Sequence, residues 1–122
     1  MGDPSNMTDY ASFADFMEKL INPMRQASPR HERLDGLISG GNRRIVGRFW
    51  HRGRRWKVHA DTHYEPLMLA HRAISSRLVA DPFEEQQTRV AGKACLVLVP
   101  ELMRRLPRGP KHLYIYEASR AR

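Results

Sequence analysis

The sequence predicts a single α+β domain in which a four-stranded mixed sheet packs on helices. Three observations support this fold class. The segment 42–61 alternates apolar and basic residues around Arg52-Gly53, which is typical of a β-hairpin. Two other segments carry apolar residues at intervals of three and four, as amphipathic helices do. The continuous apolar run 94–99 and the alternating segment 111–118 then supply two further strands.

Strand alternation gives the hairpin two distinct faces. With Arg52 and Gly53 as the central residues of a tight turn, Trp50 lies opposite Arg55 and Phe49 opposite Trp56. The apolar face carries Ile45, Gly47, Phe49, Trp56, Val58 and Ala60. The basic face carries Arg44, Val46, Arg48, Trp50, Arg55, Lys57 and His59. A register shift of one residue would exchange the faces, so the prediction requires an exposed Trp50 and a buried Trp56.

The N-terminal segment predicts a helix that Thr8 caps and that ends or kinks at Pro23. Its apolar stripe consists of Tyr10, Phe13, Met17, Leu20 and Ile21. This stripe is expected to pack on the sheet, and the alternative use for it is a homodimer contact. A short second helix is predicted within 29–39, where Leu34, Leu37 and Ile38 precede a Gly-Gly pair.

The second half of the chain predicts helix, loop, strand, short helix and strand. A helix runs from Pro66 to about Val79 on the stripe Leu67, Ala70, His71, Ile74 and Leu78. The polar run 84–88 is expected to be a loop, and Pro100 starts a short helical turn. This order of elements is similar to the β-grasp layout, which would place four strands in one sheet.

Composition favours one small domain in a reducing compartment. We expect residues 1–6 to be an expression scar or disordered, 7–118 to form the domain, and 119–122 to be a frayed basic tail. A single cysteine, Cys95, cannot form an intrachain disulfide and fits an intracellular location, cytoplasmic or nuclear. No apolar run approaches the roughly 20 residues of a membrane-spanning helix, so a soluble protein without a membrane partner is expected.

The charge of the chain is concentrated in the hairpin, which points to a polyanionic partner. No acidic residue occurs in 36–60, whereas seven basic ones do: Arg43, Arg44, Arg48, Arg52, Arg54, Arg55 and Lys57. The net charge is +8, so the other 14 basic and 13 acidic residues contribute only +1. Clustered cations bind phosphates with release of counterions, and an exposed Trp50 suits base stacking. We therefore predict a non-enzymatic protein that binds RNA or single-stranded DNA through Arg43, Arg44, Arg48, Trp50, Arg52, Arg54, Arg55, Lys57 and His59.

A second basic cluster is expected to extend this surface, and two alternative functions stay open. The cluster consists of Arg104, Arg105, Arg108 and Lys111. The first alternative is a protein-interaction module of the viral or adaptor type, with Tyr114 and Tyr116 as candidate contacts for an acidic partner. The second is a nuclease, in which two of His51, His59 and His63 act as general base and acid beside Lys57. No metal site or cofactor is predicted. His59 and His63 have the four-residue spacing of helical zinc ligands, but they straddle the end of a strand, where that spacing is not fixed, and Cys95 has no second cysteine.

Overall fold

The computed structural model describes residues 8–27, 46–59, 62–88, 92–106 and 113–118. The strands are β1 (Asp9–Tyr10), β2 (Gly47–His51), β3 (Arg54–Val58), β4 (Phe83–Gln87), β5 (Ala94–Leu98) and β6 (Ile115–Glu117). The helices are α1 (Phe13–Phe16), a π-helical segment (Met17–Ile21), α2 (Asn22–Ala27), α3 (Tyr64–Ser75) and α4 (Pro100–Met103). The predicted second helix, the residues 1–6 and the tail 119–122 lie outside the described residues.

The strands form one six-stranded mixed sheet in the order β1-β2-β3-β6-β5-β4. β1 pairs with β2 in parallel, and every other neighbouring pair is antiparallel. The α+β class and the mixed sheet are therefore confirmed, whereas the four-stranded, β-grasp-like arrangement is wrong in strand number and order. Two additional strands, β1 and β4, enlarge the sheet at its two edges.

β4 occupies the segment that was predicted to be a polar loop. Its residues 84–87 are exposed, and only Phe83 at its start is buried. β4 pairs with β5 on one side and forms one edge of the sheet. Charged side chains are common on edge strands because they discourage pairing with other chains. The absence of apolar alternation therefore reflects an edge position and not a loop.

The hairpin forms with the predicted register. Arg52 and Gly53 adopt φ angles of 56° and 77°, the left-handed conformations that a two-residue type I′ turn requires. Phe49 then pairs with Trp56, and Trp50 pairs with Arg55. Both Phe49 and Trp56 are 0% exposed, whereas Trp50 is 44% exposed. The predicted assignment of the two faces is confirmed for the hairpin residues that the structure describes.

The N-terminal helix begins later than predicted, because Ser12 and not Thr8 caps it. The Ser12 hydroxyl accepts a hydrogen bond from the backbone N–H of Asp15 at 3.1 Å. Thr8 instead extends the edge of the sheet, where its carbonyl accepts from the Arg48 N–H at 3.2 Å. The short strand β1 thus occupies the residues that had been expected to form the first helical turn.

The helical segment also continues through Pro23 instead of ending there. The Asn22 N–H donates to the Met17 carbonyl, five residues earlier, so the wider π-helical turn lies directly before the proline. Proline has no N–H to donate in the regular α-helical pattern, and α2 resumes around it. Phe13, Phe16, Met17 and Ile21 are buried in the core. The apolar stripe therefore serves the core, and a homodimer through this helix would have to use other residues.

The helix α3 ends at Ser75, four residues before the predicted Val79, in a left-handed cap. Arg77 adopts a φ of 60°. The Leu78 N–H donates to the Ala73 carbonyl at 2.9 Å and the Arg77 N–H to the Ile74 carbonyl at 3.0 Å. These bonds are those of a Schellman motif. Leu78, predicted to belong to the apolar stripe, lies beyond the cap and is exposed.

The sheet curves around its core, so that the tip of the hairpin reaches the opposite edge. The Phe83 ring of β4 lies 4.9 Å from the Phe13 ring and 5.6 Å from the His51 ring, each edge to face. The Arg52 guanidinium donates to the Phe83 carbonyl at 3.4 Å. Phe49, Trp56, Leu96 and Ile115 are fully buried in the same core. The described helices contain no segment long and apolar enough to cross a membrane.

We predict that Gly47→Ala destabilises the protein by about 1–3 kcal/mol, the usual cost of overpacking a core. A Cβ at Gly47 would lie 2.9 Å from Cε1 of Phe16, a fully buried ring that has little room to move. Chemical denaturation measures the change. In a double-mutant cycle with Phe16→Leu, the double variant should cost less than the sum of the two single changes. An additive cycle would contradict the proposed clash.

We predict that Arg77→Gly stabilises the protein by about 1 kcal/mol, because a left-handed conformation costs a non-glycine residue about that much. The matched control is Ser76→Gly, one residue earlier, where φ is −87° and glycine offers no conformational advantage. Thermal or chemical unfolding of both variants tests the prediction. Equal effects of the two glycines would exclude strain at Arg77 as the cause.

Candidate nucleic-acid interface

One face of the sheet carries the predicted basic residues and is not filled by the core. Strand pairing places Arg48, Trp50, Arg55 and Lys57 on this face, opposite to the side of Phe49 and Trp56. The pairing of Lys57 with Tyr116, and of Tyr116 with Cys95, continues the face across β6 and β5. The pairing of Glu84 with Val97 and of Gln86 with Cys95 extends the face to β4. We call this surface the open face; its described members are Asp9, Val46, Arg48, Trp50, Arg55, Lys57, His59, Tyr114, Tyr116, Cys95, Val97, Glu84 and Gln86.

An acidic residue from the first strand lies among the cations of the open face. Asp9 pairs with Arg48 across β1 and β2, and its Oδ1 lies 2.9 Å from Arg48 Nε. Its Oδ2 lies 3.5 Å from Arg55 Nη1. The sequence places Arg48 directly opposite Lys57, a repulsive pair on a sheet. Asp9 offsets that repulsion. The pairing of Arg48 with Lys57 therefore gives weaker support for an anionic ligand than the hairpin sequence by itself would indicate.

Trp50 and Lys57 are the most accessible members of the basic part. Trp50 is exposed, and the Arg55 guanidinium carbon lies 5.9 Å from its ring centroid, within the range of a cation–π contact. Lys57 is exposed and belongs to none of the ion pairs among the described residues. Arg48, Arg55 and Lys57 against Asp9 leave a net charge of +2 on this part of the face.

Aromatic rings continue the open face beyond Lys57. The His59 ring is exposed and lies 6.2 Å from the Tyr114 ring and 6.4 Å from the Tyr116 ring. Both tyrosines are half-buried. The backbone fixes this junction, because the His59 N–H donates to the Tyr114 carbonyl at 2.7 Å. The buried Thr62 donates to the same carbonyl through its hydroxyl at 3.2 Å. The basic hairpin and the tyrosines of the C-terminal strand therefore form one continuous surface.

A surface pocket of about 260 Å³ lies at the β5–β6 end of the open face. Cys95, Val97, Met103, Leu113, Tyr114 and Tyr116 line it. Burial raises the pKa of the Cys95 thiol, and burial also raises the pKa of the Tyr116 phenol, with smaller contributions from Cys95 and Tyr114. Both groups are therefore neutral at physiological pH, and none of the described residues that line this pocket is charged.

Arg52 and Arg54, two of the predicted binding residues, lie at the hairpin tip in ion pairs that hold the sheet closed. Arg52 Nη2 lies 2.8 Å from Asp81 Oδ2, and His51 Nε2 lies 3.1 Å from the same oxygen. Arg54 pairs with Glu85 and, at 3.2 Å, with Glu117. The hydrogen bond that Arg54 donates to Glu85, together with the negative charges of Glu117 and Glu85, raises the pKa of Arg54. These cations hold the curved sheet together and are separate from the open face.

The remaining predicted cations are only partly described. Arg104 and Arg105 are exposed and follow α4 directly, next along the chain to the pocket residue Met103. Arg43, Arg44, Arg108 and Lys111 lie outside the described residues. The structure thus unites Arg48, Trp50, Arg55, Lys57 and His59 on one surface and separates Arg52 and Arg54 from them.

The histidines do not form the pair that a histidine-dependent nuclease would need from His51 and His59. His51 is on the core side of β2 and contacts Phe49, Phe83 and Asp81. His59 follows β3 on the open face, so the two rings lie on opposite sides of the sheet. Within the described ranges, no group of three His, Cys, Asp or Glu side chains is arranged to hold a metal ion.

Comparison with protein-family models, with curated proteins and with solved structures found no match for this chain. The functional argument therefore depends on the geometry of the open face alone.

Two components of this surface were not part of the predicted binding site. The helix predicted from Thr8 includes Asp9, whereas the predicted binding residues do not, and Tyr114 and Tyr116 are predicted as contacts for a protein partner. The alternation of Leu113 and Ile115 with the tyrosines did indicate that both rings share a face. No signal in the sequence indicated that β6 pairs with β3.

We predict that Cys95 is alkylated more slowly in the native protein than in the denatured chain, with a higher pH midpoint. Burial raises the pKa of its thiol, so the reactive thiolate is scarcer in the folded state. By linkage, stability is fully present below the thiol pKa of the unfolded chain and falls as pH rises towards the folded value. Iodoacetamide labelling across a pH series, with and without denaturant, measures both rates. Equal midpoints would contradict the prediction.

Proposed function

We propose that this protein is a non-enzymatic nucleic-acid-binding protein that holds RNA or single-stranded DNA on its open face. The observation that carries the proposal is the position of Trp50, which lies exposed beside Arg55 on the same face as Arg48 and Lys57. An exposed indole among cations offers stacking for a base and charge for the adjacent phosphates. Because the Trp50 side chain is exposed, core packing does not explain why a large aromatic residue occupies this position.

The aromatic content of the face supports a single strand over a duplex. Trp50, His59, Tyr114 and Tyr116 all belong to the open face. Bases are available for stacking on such rings only when they are unpaired, as in loops and single strands. A surface that recognised a duplex through its phosphates would need cations but not this series of rings.

The Asp9 carboxylate competes with a ligand phosphate for the guanidinium groups of Arg48 and Arg55. A phosphate that approaches Arg48 or Arg55 must replace the carboxylate that already contacts both guanidinium groups. The net charge of +2 then supports modest affinity that depends on salt, because each neutralised phosphate releases counterions. This competition also yields a test in which a substitution strengthens binding instead of weakening it.

We predict that Asp9→Asn strengthens binding to a single-stranded oligonucleotide by about two- to fivefold, since exposed ion pairs are worth about 0.2–1 kcal/mol. The substitution removes the carboxylate that competes with phosphate while keeping the size of the side chain. Conversely, Arg48, Arg55 and Lys57 changed together to Gln should abolish binding and leave the fold intact. Fluorescence anisotropy across a salt series measures both effects.

The matched control for the triple variant is Arg52→Gln with Arg54→Gln. It removes two cations from the same hairpin, but these are the ones paired with Asp81, Glu85 and Glu117. We expect lower thermal stability and nearly unchanged binding. If this control reduced binding as much as the triple variant, the effect would be one of net charge and not of the open face.

The binding assay, the proteins that co-purify and incubation with RNA together distinguish the alternative functions. Undetectable or salt-insensitive binding, together with an acidic protein that co-purifies without nucleic acid, would favour a protein-interaction module instead. Incubation with labelled RNA, with and without a chelator, tests the nuclease alternative. Intact RNA under both conditions is the result expected for a binding protein.

A further inference from the structure

The pocket at the end of the open face differs in chemistry from the hairpin beside it. Among the described residues its walls are aliphatic, aromatic and thiol groups, whereas the hairpin part carries three cations and one carboxylate. A phosphate would lose its hydration in such a pocket without gaining a cation in return. A neutral, planar group is the better match for these walls.

The size of the pocket also limits its occupant. Sites for drug-sized ligands measure roughly 300–1,000 Å³, so a pocket of about 260 Å³ suits a single ring system. The Tyr114 and Tyr116 phenols supply aromatic surface and hydroxyl groups for hydrogen bonds at its rim. A heterocyclic base presents both a ring face and polar edges.

The charges adjacent to the pocket indicate what such a base would be attached to. Lys57 is paired with the pocket residue Tyr116 across β3 and β6, and Glu84 is paired with the pocket residue Val97 across β4 and β5. The hairpin side of the pocket is therefore bordered by a cation and the β4 side by a carboxylate, so a phosphate is expected on the hairpin side. Side chains of directly paired residues lie about 4.5–5.5 Å apart at Cβ. A nucleotide whose base entered the pocket would therefore leave its phosphate within reach of the Lys57 ammonium group.

We propose that this pocket receives one unpaired base of a single-stranded polynucleotide whose backbone continues over Lys57 towards Trp50. The inference depends on the proposed function and deepens it by assigning a base-binding site and a selection against duplexes. A paired base would first have to leave its stack, at a cost of a few kcal/mol in a duplex. The pocket thus supplies discrimination that the cations alone do not provide.

Cys95 allows occupancy to be measured directly, because it lines the pocket and is the one cysteine of the chain. The rate of Cys95 alkylation by iodoacetamide is measured in the presence of one of three ligands. These are a saturating single-stranded oligonucleotide, the same oligonucleotide annealed to its complement, and inorganic polyphosphate. At about ten times its Kd, the single strand is expected to slow alkylation by roughly tenfold, because only the unbound protein exposes the thiol to the reagent. The duplex and the polyphosphate, which also bind cations, should leave the rate unchanged.

A pair of substitutions tests the same inference independently of the thiol. Val97→Phe adds bulk inside the pocket, and Leu78→Phe adds an aromatic ring at an exposed position beyond the cap of α3, outside the open face. We expect Val97→Phe to weaken single-strand binding by about tenfold. Polyphosphate binding should be unchanged by either substitution, and circular dichroism confirms that both variants fold.

The failures of the two proposals are distinguishable. Salt-dependent binding of the single strand without protection of Cys95, or with equal affinities for the two phenylalanine variants, would overturn the pocket and keep the open-face function. Equal protection by polyphosphate would also overturn it, because that polyanion has no bases. Absence of any binding to nucleic acid would overturn the proposed function itself.

Discussion

The register of one hairpin, set by a two-residue turn, is the constraint on which the rest of this structure depends. Arg52 and Gly53 both adopt left-handed conformations, and this fixes Phe49 opposite Trp56 and Trp50 opposite Arg55. A shift by one residue would carry each side chain to the other side of the sheet. The fully buried pair Phe49 and Trp56 opposes such a shift, since exposing large aromatic side chains costs several kcal/mol. The packing of Phe49 and Trp56 on the core face therefore places Trp50 on the exposed face.

The fold divides the dense positive charge of the hairpin between two tasks. The cations at the tip meet Asp81, Glu85 and Glu117 from distant parts of the chain and hold a curved sheet together. On the open face Asp9 pairs with Arg48 and Arg55, and with Lys57 included the described part of that surface retains a positive charge. A count of arginines in the hairpin therefore overstates the charge available to a ligand. The candidate site is smaller than the basic segment, and Lys57 and Trp50 are its most accessible members.

Across the open face the described side chains change from cations on β2 and β3 to the apolar and aromatic lining of the pocket beside β5 and β6. His59, Tyr114 and Tyr116 lie at the junction between the two parts. Each nucleotide of a single strand likewise combines a charged phosphate with a base whose ring faces are apolar. An acidic protein would need an apolar side chain beside its carboxylates to complement both parts. This correspondence between two chemistries on one surface is the basis for preferring a nucleic-acid ligand over another polyanion.

The sequence by itself determined the elements whose evidence is local. Alternation and turn chemistry fixed the hairpin and its faces, the apolar run fixed β5, and the order of Leu113 to Tyr116 fixed which side chains of the last strand share a face. Tertiary structure alone decided that two-residue β1 and polar β4 are strands, because edge strands are held by pairing with a neighbour and need no apolar periodicity. It also brought Asp9 to Arg48 and placed β6 beside β3. Contacts between distant segments leave no periodic signal in the chain, so the pocket and the neutralising carboxylates were visible only in the folded protein.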